Sequence, residues 1–252
     1  MSFADHFSAI ARTYAAFRPH YPTSLADELA SRCASTELAW DAGCGNGQLS
    51  VALASRFEQV IATEPAQAQL DAAERHPHVE YRCEPAEKSS LGDRSVDLAV
   101  AAQAAHWFDW PGYVAEVARV TRPGALVGLI SYGIVEVEGE SAANIVRHYY
   151  HDVAGPYWPP GRRHVENGYR DLAWPSGSWE AVEPPQLAMT ARWTRDQLLG
   201  YIASWSATVR LVDAQGPAPY ETLRAELAAA WADGTRMVRW PLTLRLARVQ
   251  GT

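Results

Sequence analysis

Trp40-Asp41-Ala42-Gly43-Cys44-Gly45-Asn46-Gly47 joins a short apolar run to a helical stretch. Residues 38–42 predict a strand, and residues 48–57 predict a helix. Glycine lets a backbone turn sharply and approach a ligand closely. Because the free N–H groups at the start of a helix favour an anionic group, this turn predicts a ligand-binding loop between a strand and a helix.

A second acidic residue follows the loop at a spacing that nucleotide sites use. Nineteen residues after Gly45, the predicted strand 59–63 ends at Glu64. A carboxylate at the end of the second strand can accept hydrogen bonds from both hydroxyl groups of a ribose. The loop and Glu64 together predict an adenosine-containing cofactor at the carboxyl edge of a parallel sheet.

The spacing of the glycines discriminates between cofactor classes. A dinucleotide fingerprint has glycines at its first, third and sixth positions, and the sixth position counted from Gly43 is Gln48. Asp41 precedes the glycines by two residues, where a carboxylate would repel a pyrophosphate. S-adenosylmethionine instead carries an ammonium that can face Asp41 and a carboxylate that can meet the loop N–H groups. The spacing favours S-adenosylmethionine, and an NAD-dependent oxidoreductase is the alternative.

Working outward from the loop, short apolar runs alternate with helical stretches. This alternation predicts an α/β fold, in which a doubly wound, mostly parallel Rossmann-like sheet has helices on both faces. The predicted strands are residues 38–42, 59–63, 79–82, 96–102, 125–131, 188–193 and 238–247. The predicted helices are residues 2–17, 24–33, 48–57, a helix that opens at Pro65, 109–120, 194–209 and 219–232.

The sequence resembles the class I S-adenosylmethionine-dependent methyltransferases, most closely the small-molecule branch that includes trans-aconitate methyltransferase-like enzymes. The resemblance depends on residues 41–47, Glu64, Cys83-Glu-Pro-Ala-Glu87, Gln103-Ala-Ala-His106-Trp107 and Tyr14-Ala-Ala-Phe-Arg18-Pro-His-Tyr-Pro22. It implies a seven-stranded sheet with an antiparallel final strand, which the alternating run 238–247 suits. Many relatives have Asp where this chain has Pro85, so a backbone N–H of Ala86 replaces a side-chain contact to adenine in our interpretation.

We expect a single methyltransferase domain that covers residues 1–252. Within it we place N-terminal lid helices at 1–35, a cofactor-binding core at 36–132, an insertion or cap at 133–185, and C-terminal helices and final strands at 186–252.

The expected site combines the loop with the segments that the resemblance implies. The cofactor-binding candidates are Tyr14, Asp41, Gly43, Cys44, Gly45, Gly47, Glu64, Pro65, Ala86, Glu87 and Gln103. The substrate-binding candidates are Arg18, Trp107, Tyr132, His148 and Trp158. His106 is the candidate general base, with a structural hydrogen-bonded histidine as its alternative role. Trp107 either forms a wall of the site or packs in the core, and the insertion is either a pocket wall or a surface loop.

Charge and cysteine content argue against a nucleic-acid partner and against a metal site. The net charge is −7 with a pI of about 5.6, which gives no long-range attraction for a nucleic acid. Three cysteines without paired spacing predict neither a disulfide framework nor a zinc site, and we expect no metal cofactor. Charged residues interrupt the apolar ones near the N-terminus, so we expect no signal peptide or membrane span there and a cytoplasmic protein.

These features lead to one functional expectation. The protein is expected to use S-adenosyl-L-methionine, with S-adenosyl-L-homocysteine as the product, to methylate a small molecule, with an oxygen atom as the favoured acceptor. A non-catalytic S-adenosylmethionine-binding module is a second alternative. We expect a monomer or homodimer.

Overall fold

The computed structural model describes residues 19–175 and 177–250. The predicted helix 2–17 and the candidates Tyr14 and Arg18 lie outside these residues. The described residues form two compact units. The unit that we call the core unit consists of residues 21–133, 163–187 and 242–250, and the second unit consists of residues 19–20, 134–162 and 188–241. The prediction of a single domain stays a prediction.

Nine strands lie in the part of the chain that the structure describes. They are β1 Leu38–Ala42, β2 Gln59–Thr63, β3 Val79–Arg82, β4 Val96–Ala102, β5 Thr121–Tyr132, β6 Glu136–Val137, β7 Trp179–Val182, β8 Leu187–Thr194 and β9 Thr235–Val249. All seven predicted strands are confirmed, and β6 and β7 are two short additions. The prediction began β5 at residue 125, whereas the strand begins at Thr121.

Strand pairing confirms the predicted fold class. In the core unit, five strands pair in parallel in the order β3-β2-β1-β4-β5. The second half of β9 pairs antiparallel with β5, from Tyr132 opposite Leu242 to Leu126 opposite Arg248, and also antiparallel with β7. In the second unit, the first half of β9 pairs with β6 and β8. Strands β1 and β4 are almost wholly buried because helices cover both faces of a parallel sheet.

Nine α-helices connect the strands in the same described ranges. They are α1 Thr23–Ser31, α2 Gln48–Leu53, α3 Gln67–Asp71, α4 Trp110–Val120, α5 Glu140–His148, α6 Arg162–Glu166, α7 Arg195–Ala203, α8 Ser206–Gln215 and α9 Ala218–Ala230. Short 3₁₀ helices cover Ala105–Trp107 and Gly155–Tyr157, and a π-helical turn covers Tyr149–Val153. From residue 19 to residue 250, leaving out 176, no helix combines the length and the apolar character needed to cross a membrane.

Local hydrogen bonds explain where the helices agree with the sequence pattern and where they differ. The capping box of Thr194 and Gln197 is confirmed at the start of α7. The helix predicted to open at Pro65 starts two residues later, because the Ala66 N–H donates to the Glu64 carboxylate instead. The helix predicted for 194–209 is divided, since Trp205 has an extended backbone between α7 and α8.

Candidate functional site

The glycine loop lies between β1 and α2, at the carboxyl end of β1. Gly43, Gly45 and Gly47 all have left-handed φ angles, of 68°, 55° and 84°. A β-carbon at Gly47 would overlap the Tyr81 hydroxyl group, so an added side chain would have to displace the Tyr81 ring as well as adopt a left-handed conformation. Among the described residues, a β-carbon at Gly45 would have only the Gln69 Oε1 atom within reach, at 4.0 Å. Within that part of the chain, the side of Gly45 where a side chain would stand is open.

The half-buried Glu64 carboxylate fixes the loop to the end of β2. Its Oε2 accepts a hydrogen bond from the Gly45 N–H at 3.2 Å, and its Oε1 accepts one from the Ala66 N–H at 3.1 Å. An ionised carboxylate has about four acceptor sites. Glu64 therefore keeps acceptor capacity for the hydroxyl groups of a ribose.

Most N–H groups of the loop already have acceptors within the protein. The N–H groups of Gly43 and Cys44 donate to the Thr63 carbonyl oxygen at 2.8 and 3.0 Å, and the Gly47 N–H donates to the Cys44 carbonyl oxygen at 3.0 Å. With the Gly45 bond to Glu64, four loop N–H groups hold the loop in shape. The expectation that these groups bind the carboxylate of a cofactor needs correction for those four positions.

Asp41 is a buried carboxyl group with one satisfied and one unsatisfied oxygen. Its exposed fraction is 1%. Oδ2 accepts a hydrogen bond from the Ser50 hydroxyl group at 2.6 Å, whereas Oδ1 has no hydrogen-bond partner among the described residues. Burial raises the pKa of Asp41 to about 6 against the lowering effect of Ser50, and the negative charge of Glu64 raises it further. A cationic ligand group would satisfy this oxygen, which is the role that the sequence predicts for the ammonium of S-adenosylmethionine.

The ends of β3 and β4 supply further candidates. The Asp109 N–H donates to Glu87 Oε1 at 2.8 Å, which connects the segment after β3 to the start of α4. Gln103 follows β4 with a left-handed φ of 54°, and its Nε2 donates to the Tyr132 carbonyl oxygen at 2.9 Å. The Gln103 side chain thus binds a backbone group, and its predicted contact with the cofactor stays a prediction.

Contacts bring the loop and these segments together. A β-carbon at Gly43 would lie 2.7 Å from the Ala104 Cβ and 3.1 Å from the Phe108 ring, so the loop packs on residues 103–108.

Ala86 is buried, and the carbonyl oxygen of the exposed Pro65 accepts a hydrogen bond from the Cys83 thiol at 3.5 Å. Cys44 is half-buried, and burial raises the pKa of its thiol above the usual range.

His106 lies in the short 3₁₀ helix that follows β4. Its Nδ1 lies 3.1 Å from the Tyr169 hydroxyl oxygen, and the two rings are nearly parallel, with centroids 6.1 Å apart and planes 18° apart. The exposed fraction of Trp107 is 71%, and its ring centroid is 4.9 Å from that of His106. The alternative in which Trp107 packs in the core is therefore wrong.

The substrate-binding candidate Tyr132 is half-buried, and its ring meets the Tyr21 ring edge-on, with the ring centroids 6.5 Å apart.

Two substrate-binding candidates belong to the second unit. His148 is exposed, and its Nδ1 is 2.8 Å from the Asp152 carboxylate. Trp158 is half-buried, 5.0 Å from the Tyr150 ring, with the Arg162 guanidinium 4.6 Å from its own centroid. The side chain of Trp158 therefore belongs to an aromatic cluster, and the His148 ring contacts a carboxylate at the surface.

Three residues near the site were missed in the sequence. Ser50 lies nine positions after Asp41, in the helix that follows the loop, and its hydroxyl group donates a hydrogen bond to Asp41. A hydroxyl residue in the first turn of that helix is the feature of the sequence that could have identified it. Tyr81 fills the space that Gly47 leaves empty. Tyr169 lies 63 positions from His106, so no local pattern connects them.

Comparison with known proteins identifies the family of this chain. A family model described as "Methyltransferase domain" matches residues 40–129. A Dictyostelium discoideum protein named "Putative methyltransferase" is 35% identical over 215 residues, which cover 84% of this chain and 81% of that protein. This chain belongs to the S-adenosylmethionine-dependent methyltransferases. This methyltransferase is also 26% identical over 221 residues to a "Probable S-adenosylmethionine-dependent methyltransferase" of Saccharomyces cerevisiae, covering 75% of this chain and 76% of that one.

A solved structure extends the similarity to the whole fold. The structure of a "Putative Type II Methyltransferase" from Anaeromyxobacter dehalogenans has 40% sequence identity and a TM-score of 0.87. The match covers 93% of this methyltransferase and 99% of that chain. The cofactor class predicted from the glycine spacing, S-adenosylmethionine, is confirmed by the family, and the NAD-dependent alternative is not.

Proposed function

We propose that this methyltransferase transfers the methyl group of S-adenosylmethionine to a small-molecule acceptor, with an oxygen atom as the favoured nucleophile. The observation that carries the proposal is the position of His106, which lies in the short 3₁₀ helix after β4 with its Nδ1 3.1 Å from the Tyr169 hydroxyl oxygen. The finer expectation from the sequence is that the acceptor is a small anionic or aromatic molecule.

The cofactor is held, in this proposal, by three groups around the loop. Asp41 Oδ1 pairs with the ammonium, because a buried carboxylate oxygen without a partner is costly until a cation satisfies it. Glu64 accepts hydrogen bonds from the ribose hydroxyl groups. The open side of Gly45 accommodates the part of the cofactor between its ammonium and its ribose. The bound cofactor supplies a methyl group on a positively charged sulfur atom, which is already activated for displacement.

The remaining contribution of the protein is alignment and, for some acceptors, a base. Positioning reactants for an in-line displacement contributes much of the rate in such reactions. A general base is required only when the acceptor arrives with a proton on its nucleophile, as a hydroxyl group does. His106 is the proposed base, and Trp107, with its exposed ring beside His106, is the proposed contact for an apolar part of the acceptor.

The charges of the core unit support a small acceptor over a nucleic acid. Phosphate binding needs a face of unpaired basic side chains. Five arginines of this unit instead form ion pairs with carboxylates: Arg32 with Glu28, Arg56 with Asp27, Arg82 with Glu80, Arg119 with Glu116 and Arg122 with Asp97. Together with the net charge of −7, these pairs leave little attraction for a polyanion.

The test is a methyl-transfer assay with labelled S-adenosylmethionine and a panel of phenols, aliphatic alcohols, carboxylic acids, amines, RNA and intact protein. We expect turnover with hydroxyl or carboxyl compounds. His106→Gln is expected to lower kcat by about a hundredfold or more for hydroxyl acceptors and to leave carboxylate acceptors nearly unchanged. His78→Gln, at an exposed histidine outside the site, is the matched control and should behave like the wild type. Efficient methylation of RNA or protein alone would contradict the proposal.

A further inference from the structure

Tyr169 has a backbone conformation that a bulky residue rarely adopts. Its φ is 59°, in the left-handed region, and only Arg94 and Gln103 share that feature among the non-glycine residues that the structure describes. Such a conformation costs free energy and persists only where surrounding contacts impose it. The contacts of Tyr169 therefore indicate what the conformation achieves.

The turn that carries Tyr169 is clamped by the last strand. Arg245 on β9 donates to the carbonyl oxygens of Tyr169, at 2.6 Å, and Leu172, and its guanidinium lies 4.3 Å from the centroid of the Trp174 ring. The Tyr169 N–H donates to the His164 carbonyl oxygen at 2.7 Å. Gly168 precedes it with a φ of 62°, and a β-carbon there would overlap the Thr243 side chain of β9. The backbone of the turn is thus fixed by several independent contacts.

The clamped turn places the hydroxyl group of Tyr169 next to the His106 ring. The Tyr169 side chain is fully buried, and its hydroxyl oxygen lies 3.1 Å from His106 Nδ1. A phenylalanine would fill nearly the same volume and keep the ring stacked on the imidazole. Replacing Tyr169 with phenylalanine therefore separates the contribution of the hydroxyl group from that of packing.

We propose that Tyr169 is a positioning residue whose hydroxyl group accepts a hydrogen bond from Nδ1–H of His106 and thereby fixes the tautomer of the imidazole. In that tautomer the lone pair is on Nε2, which is the atom that can take a proton. The proton of an acceptor hydroxyl group passes to Nε2, while Nδ1–H continues to donate to Tyr169 and stabilises the charged ring. This proposal rests on His106 acting as the base in the proposed function.

The tautomer can be measured without any acceptor. Nitrogen-15 NMR distinguishes a protonated from an unprotonated ring nitrogen, and the His106 signals are assigned by their loss in His106→Gln. We expect the wild-type protein at neutral pH to carry the hydrogen of His106 on Nδ1, and Tyr169→Phe to shift the population toward the Nε2–H form. A wild-type His106 with its hydrogen on Nε2 would overturn the proposal, and this outcome needs no variant of Tyr169 to fold.

Kinetics supply the second readout. Tyr169→Phe should lower kcat by about tenfold with an unchanged KM for a hydroxyl acceptor, since one hydrogen bond to a charged ring is lost. The acid limb of its kcat/KM pH profile should move to lower pH, because the protonated ring loses an acceptor that stabilises it. A purely structural role of Tyr169 would lower thermal stability without moving that limb.

Matched variants separate the possible failures. Tyr113→Phe removes another fully buried hydroxyl group of the same core, one without a hydrogen-bond partner in the described residues, and should leave both readouts unchanged. In the His106→Gln background, Tyr169→Phe should have no further effect on kcat if it acts through His106. If His106→Gln is fully active, the base in the proposed function fails. If His106→Gln is impaired and Tyr169→Phe is not, only the role of Tyr169 fails.

Discussion

Replacing Asp41 with asparagine is expected to change the pH dependence of stability by a calculable amount. Because burial raises the pKa of Asp41 from 3.8 to about 6, its ionised form costs the folded state about 3 kcal/mol. Well below pH 3.8 the carboxyl group is protonated in both states and this cost is absent. As the pH rises to about 6, the unfolded chain loses the proton first, so the free energy of unfolding falls.

The asparagine side chain of the Asp41→Asn variant has nearly the same shape as aspartate and does not titrate. Its oxygen can still accept the hydrogen bond from Ser50, and its amide occupies the place of the unsatisfied Oδ1 at a cost that is constant with pH. The difference in free energy of unfolding between Asp41→Asn and the wild type therefore isolates the titration of Asp41. Between pH 4.5 and 7.5 we expect this difference to shift by about 2 kcal/mol in favour of the variant.

The assay is urea unfolding of the cofactor-free proteins at a series of pH values. Asp97→Asn is the matched control, because Asp97 is also buried but its oxygens accept hydrogen bonds from Glu37, Leu38 and Arg122. That control should be less stable than the wild type and should bind the cofactor normally. A difference between Asp41→Asn and the wild type that is constant with pH would refute the reasoning, since Asp41 would then be ionised at no cost.

The same variant tests the pairing of Asp41 with the ammonium. Calorimetry with S-adenosylhomocysteine, which keeps that ammonium, should show affinity about tenfold to a hundredfold lower in Asp41→Asn. The wild-type affinity should fall by about tenfold per pH unit below about pH 6, because the empty site is then protonated. An affinity that is equal in the two proteins would place the ammonium elsewhere.

Three further changes test the loop by calorimetry and thermal unfolding. Glu64→Ala should lower cofactor affinity by about tenfold to a hundredfold in a folded protein, and an unchanged affinity would mean that Glu64 does not bind the ribose. Gly45→Val should abolish cofactor binding, because its side chain would extend into the open space beside the loop; normal binding would show that the cofactor lies elsewhere. Gly47→Ala should lower the thermal stability itself, because its β-carbon meets Tyr81 and its φ is 84°, and an unchanged melting temperature would contradict that packing argument.

The sequence alone was sufficient for seven of the nine described strands and for the cofactor class. Apolar runs at a strand's length, separated by helical stretches, identified β1 through β5, β8 and β9, because each of these patterns depends on neighbouring residues. The carboxyl ends of parallel strands meet at one edge of the sheet, so the position of Glu64 relative to Gly45 followed from spacing. The glycine spacing then selected S-adenosylmethionine, as the family confirms.

The sequence pattern was less informative about how the loop satisfies its own polar groups. The free N–H groups expected for ligand binding are mostly consumed by Thr63, Cys44 and Glu64. A loop must pair its own backbone before it can bind anything else, and the identity of the acceptors depends on the strand beside it. For the same reason the helix expected at Pro65 starts two residues later.

The tertiary structure alone decided the surroundings of His106. Its partner, Tyr169, lies in a segment that the sequence predicted as part of one insertion, whereas residues 134–162 belong to the second unit and residues 163–187 to the core unit. Tyr169 reaches His106 through a left-handed backbone that Arg245 holds from the last strand. Propensity and periodicity describe neighbours along the chain, but contacts across 63 or 76 positions depend on the path of the folded backbone.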